Sequence, residues 1–120
     1  MKRIGIAVGS LAAAAWLLAG CHSSRIEATV ENRTGAAITL LEVDYPSASF
    51  GVDALANGAD FPYRFKVQNS GAMKVQYNSA DGRSTHTATG PTLAEGQEGR
   101  LTIVLLPAGK VEFHPALSLH

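Results

Sequence analysis

The chain has 120 residues, with 10 basic and 10 acidic side chains, four histidines and a single cysteine. Lys2 and Arg3 lie ahead of that cysteine, so the chain from Cys21 onward carries 8 basic residues against 10 acidic ones. This balance offers no cationic stripe to follow a phosphate backbone, so nucleic acid is excluded as an expected partner. One cysteine also excludes an internal disulfide, leaving a hydrophobic core to hold any exported domain.

The first segment reads as targeting sequence and is set aside from the fold. Lys2 and Arg3 form a short positive start, and Ile4 to Leu18 carries no charge. That run is shorter than the roughly 20 residues of a membrane span, but it suits the apolar part of a signal peptide, expected as a helix. It ends in Leu18-Ala19-Gly20-Cys21, which resembles the lipobox of bacterial lipoproteins. The resemblance implies removal of residues 1–20 and attachment of acyl chains, such as palmitate, through a thioether at Cys21. His22 follows the cysteine where Asp retains enterobacterial lipoproteins in the inner membrane. The resemblance therefore implies the periplasmic face of the outer membrane ahead of the inner one. Residues 21–25 are then the lipidated cysteine and a short tether. Two or more acyl chains anchor stably where one binds only marginally.

From Ile26 the pattern changes to period-two alternation broken by Gly, Asn, Asp and Pro, which predicts strands. Ile26, Ala28 and Val30 alternate with Glu27, Thr29 and Glu31, and Asn32 to Gly35 turns the chain. Leu41, Val43 and Tyr45 share one face of the next strand, which Pro46 ends. Ala48, Phe50 and Val52 predict a short edge strand, and Phe61, Tyr63, Phe65 and Val67 the inner face of another. Met73, Val75 and Tyr77 continue the pattern. Asp81-Gly82 supplies the positive φ of a hairpin turn, and a Thr-rich strand returns through His86. The most apolar run, Leu101 to Leu106, predicts a central strand, followed by a turn at Pro107-Ala108-Gly109 and a last strand.

Seven or eight short strands without a helix predict an all-β fold. The expectation is one small β-sandwich of antiparallel strands over residues 26–115, with a tail at 116–120. Val30, Leu41, Val43, Phe65, Val75, Tyr77, Leu101, Ile103 and Leu105 are its expected core. Two loops share a pattern, Leu55-Ala56-Asn57-Gly58 and Leu93-Ala94-Glu95-Gly96. Leu-x-x-Gly before a strand resembles the end-capping loops of immunoglobulin-like and fibronectin type III-like modules. The resemblance implies that the leucines plug the ends of the sandwich while the glycines turn left-handed. It implies no function.

Chemistry-bearing patterns are sparse. His86, His114 and His120 stand at spacings that match no zinc site. Asp44 lacks a calcium-loop array around it, Asp81 belongs to its turn, and no G-x-S-x-G elbow is present. No catalytic, cofactor or metal residue is therefore assigned, and an enzyme is not expected. The leading expectation is a non-catalytic, lipid-anchored module of the cell envelope that binds an envelope protein close to the membrane. Two alternatives are a periplasmic small-ligand or metal carrier, using a cleft near Tyr45, Phe50 and His86, and an enzyme whose site only folding assembles. Within the leading expectation Tyr45 and Phe50, in "DYPSASFG", are the candidate interface. The competing reading is that both rings close the sandwich.

Overall fold

The computed structural model describes residues 23–119. The expected signal helix, Cys21, His22 and His120 lie outside them. Eight strands follow one another: β1 (Ile26–Asn32), β2 (Ile38–Tyr45), β3 (Ala48–Leu55), β4 (Asp60–Phe65), β5 (Gly71–Ser79), β6 (Thr85–Leu93), β7 (Gln97–Leu105) and β8 (Val111–Leu119). They form two four-stranded sheets, ordered β4-β1-β7-β8 and β3-β2-β5-β6. The protein is a small β-sandwich.

Alternation places the core. All nine expected residues are buried, together with Ile26, Ile38, Val67, Met73 and Leu93. Along β1, β5 and β7 every second side chain turns into the space between the sheets. Leu55 and Leu93 plug the ends as expected, buried while Gly58 and Gly96 take positive φ.

Three features depart from the expected pattern. First, β1 runs parallel to β7, with Ile26 level with Gly99 and Asn32 level with Leu105, whereas the remaining pairs are antiparallel. The first strand thus sits inside its sheet between β4 and β7. Parallel neighbours need no connecting turn between them, so local sequence carries no sign of this pairing. The likeness to immunoglobulin-like modules is accordingly one of architecture and end-capping loops.

Second, residues 116–119 are not a tail. They continue β8, with Leu119 opposite Gln97. Pro115 does not stop the strand because β8 is an edge, where the missing N–H can face away from the ladder. Third, β2 contains a bulge. Its register with β5 shifts between Thr39 and Glu42, and Leu40 takes φ of 50°. The extra residue lets Ile38 and Leu41 both point inward and turns Leu40 out, 58% exposed.

Candidate functional site

The strand register assigns the loops to two ends. Ile26, the first core residue, stands level with Phe65 and Gly99. Around it gather the β2–β3 hairpin at Pro46-Ser47, the loop after Phe65 and the Leu93-to-Gln97 loop. They are linked by Gln68 N–H to Ser47 Oγ (3.5 Å), Glu95 N–H to Ser70 Oγ (3.4 Å) and Gly96 N–H to the Val67 carbonyl (3.3 Å). This is the end from which the N-terminal segment leaves. Arg64 and Arg100, on the strands flanking β1, both approach Glu27, at 3.6 and 3.9 Å.

The opposite end lies about 20 Å away, six strand residues on at roughly 3.3 Å each. It is organised by Asn32, which is fully buried. The two hydrogens of its Nδ2 are shared among the carbonyls of Ala36 (2.9 Å), Leu55 (3.0 Å) and Ala56 (3.1 Å). Its Oδ1 accepts from the Thr34 N–H (3.1 Å) and hydroxyl (2.7 Å). One amide therefore ties the β1–β2 loop to the β3–β4 loop and satisfies carbonyls that burial would otherwise strand without partners. In the sequence Asn32 marks only the start of a turn. A polar residue next in phase after Ile26, Ala28 and Val30 was the available signal, since the alternation carries it into the core.

The two expected interface rings have separate fates. Phe50 is only 6% exposed. It stacks on Tyr63 with ring centroids 4.3 Å apart, and Tyr45 stacks on Phe65 at 4.2 Å. Phe61 completes the set, 6.2 Å from Phe50. These rings fill the gap between the edge strands β3 and β4, so Phe50 is packing and presents no projecting anchor. Tyr45 is half-buried. Burial, with the Tyr63 hydroxyl as a lesser cause, raises its pKa above the usual 10.0. Tyr63 is the ring that reaches solvent, 40% exposed.

His86 does not join them. It stands opposite Tyr77 on β6, ring centroids 5.1 Å apart. Tyr45, by contrast, lies on β2 at the end where the N-terminal segment leaves. The single cleft expected near Tyr45, Phe50 and His86 does not form. Instead, His86 and Tyr77 line a hollow of about 150 Å³ at the Asn32 end, with Thr34, Ile38 and the Pro107-to-Gly109 turn. Small-molecule sites usually span roughly 300–1,000 Å³, so this hollow is small for a ligand. His114 pairs with Glu112 at 3.2 Å on the outer face of β8. Asp81 accepts from Ser79 Oγ (2.6 Å) and from the Arg83 N–H (2.9 Å), which lowers its pKa, and so serves its turn as expected.

Among the described residues no three His, Cys, Asp or Glu side chains gather as metal ligands. Among the same residues no helix is long and apolar enough to cross a membrane.

No protein-family model matches the chain, and no curated protein matches it. Among solved structures, the NMR structure of a protein from Eubacterium rectale superimposes with a TM-score of 0.54. Identity is 16%, over 81% of this chain and 91% of that one. At that identity the likeness concerns the sandwich alone.

Proposed function

We propose that the protein is a lipid-anchored module of the bacterial cell envelope, held by an acylated Cys21 and working through protein contacts rather than catalysis. The observation that carries this reading is the spacing at the start of the chain. The lipobox-like Leu18-Ala19-Gly20-Cys21 is followed by four residues, and β1 begins at Ile26. At about 3.3–3.6 Å per extended residue, the sandwich stands on the order of 15 Å from the anchoring thiol. The hairpin at Pro46-Ser47 and the loops around Val67 and Gly96 then face the bilayer, and the Asn32 end faces away. His22 favours the periplasmic face of the outer membrane.

The carrier alternative draws less support. His86 stands apart from Tyr45 and Phe50, whose rings share one seam, and the hollow at His86 is small. A buried aromatic seam and an amide-tied end make a stiff platform, which suits a module that presents a surface.

Membrane partition tests the reading. Cys21→Ser removes the thiol that would form the thioether, so the variant should remain uncleaved and shift out of the detergent-extracted lipoprotein fraction. Unchanged partition and mass in Cys21→Ser would overturn the anchor.

A further inference from the structure

Among the described residues four strands have a neighbour on one side only: β3, β4, β6 and β8. Such an edge exposes unpaired N–H and C=O groups, and proteins blunt it with proline, charge or bulges. Three of the four are blunted by proline: Pro62 in β4, Pro91 in β6 and Pro115 in β8. A proline in an edge strand withholds the donor that an added strand would need. The fourth, β3, reads Ala-Ser-Phe-Gly-Val-Asp-Ala-Leu and contains no proline, lysine or arginine. It pairs with β2 over its whole length on one side, from Ala48 opposite Tyr45 to Leu55 opposite Ile38. On its other side no strand pairs with it among the described residues.

The surface beside this edge is shaped. A hollow of about 380 Å³ lies over Gly51, bordered by Leu40, Glu42, Ser49 and Asp53. Gly51 is required there, because any Cβ would collide with the Leu41 carbonyl. The missing side chain leaves a notch in the outer face of β3 through which a neighbouring strand's side chain can reach β2. Leu40 falls level with Asp53, between the Thr39–Ala54 and Leu41–Val52 pairs. It is held outward at positive φ, a conformation that costs a bulky residue energy. Glu42, paired with Gly51, lies on the other side of the notch. Neither Glu42 nor Asp53 forms an ion pair among the described residues.

We propose that the free edge of β3 is a docking strip that accepts an extended segment of another protein as an added strand, with a lysine or arginine of that segment lying across Gly51. Its aliphatic stem packs against Leu40 and its charge meets Glu42 and Asp53. A second copy of this chain fits less well. Its own β3 carries Asp53 and no cation, so pairing β3 with β3 brings carboxylates toward carboxylates and leaves the notch unfilled. The partner class, an envelope protein, rests on the proposed function above; the strip itself rests on the edge and the notch.

Backbone amide NMR on the full chain in detergent tests the proposal, with two capped peptides as probes: Thr-Val-Thr-Lys-Thr-Val-Thr and the same peptide with Glu in place of Lys. Saturable shifts are expected at residues 49–54 and at Leu40 and Glu42. The Glu peptide should bind about tenfold more weakly, and Glu42→Gln combined with Asp53→Asn should weaken the Lys peptide similarly. Both substituted side chains lie on the outer face, so the variant should keep the wild-type spectrum elsewhere. Equal binding of the two peptides, shifts centred on β6 or β8, or no binding at millimolar peptide would overturn the strip. Concentration-dependent broadening of β3 without peptide would overturn it in favour of self-association. Failure of the anchor shows separately, in the partition of Cys21→Ser, and leaves the peptide result intact.

Discussion

Between β3 and β4 the gap at the side of the sandwich is filled by adding rings: Phe50 on Tyr63, Tyr45 on Phe65, and Phe61 beside them. Between β6 and β8, at the other side, it is closed by taking side chains away. The Phe113 ring lies over Gly90, where a Cβ would fall 2.6 Å from its nearest carbon, and the His86 ring lies over Gly109 at 2.6 Å in the same sense. The two sides teach different lessons about reading packing from sequence. Aromatic residues announce a filled seam through their bulk and alternation. A glycine socket is silent, since Gly90 in a Thr-rich strand looks like a weakness in the strand until the ring above it is seen.

The contrast can be broken at the ring side first. Phe50→Ala removes a nearly buried ring with its stack on Tyr63 and its tilted contacts to Tyr45, Phe61 and Phe65, and should cost about 3–5 kcal/mol, read as a lower midpoint in chemical denaturation. A large fraction of the domain's stability would be lost. Unchanged denaturation would mean that Phe50 is not closing the seam. On the socket side, Gly90→Ala should cost less, about 1–3 kcal/mol, because the obstructed ring belongs to an edge strand and can tilt away. Ring NMR signals of Phe113 should move while those of the Phe50 cluster stay. A Gly90→Ala variant more damaging than Phe50→Ala would invert the comparison.

Alkaline pH gives a smaller and sharper probe. Burial keeps the hydroxyls of Tyr45 and Tyr77 protonated beyond the usual 10.0, with Tyr63 adding to the effect at Tyr45. The folded chain therefore holds protons that the unfolded chain releases, so stability should fall as pH rises above about 10 and be indifferent to these groups near neutrality. Ultraviolet titration of the three tyrosines would show it, and Tyr45 titrating at or below 10.0 would contradict the packed seam. The smallest effect belongs to the exposed Asp81, whose pKa is lowered by Ser79 and the Arg83 N–H. Its contribution is present above about 3.8 and is lost as pH falls through the lowered value.

Much of the sandwich was legible because alternation is a local property. Val43, Val75 and Ile103 declare their face through their immediate neighbours, and Leu55-to-Gly58 and Leu93-to-Gly96 declare their turns. What escaped is non-local. The β1–β7 pairing joins strands about seventy residues apart in sequence with no turn to mark it. The bulge at Leu40 exchanges the phase of β2 so that Ile38 faces inward with Leu41, and the burial of Asn32 depends on two distant carbonyls, Leu55 and Ala56, converging on it beside the nearby Ala36. For the candidate site, the lipobox-like pattern at Leu18 to Cys21 is legible as a motif, and the edge position of Ala48 to Val52 as alternation. That Pro62, Pro91 and Pro115 fall on the other three edges was not legible, because edge position depends on which strands pair.

Intact mass spectrometry of the protein extracted from bacterial membranes tests the anchor most directly. The expected species begins at Cys21, lacks residues 1–20 and carries the added mass of a diacylglyceryl group or of three acyl chains. A full-length chain, or one cleaved near residue 20 with an unmodified thiol, would contradict it.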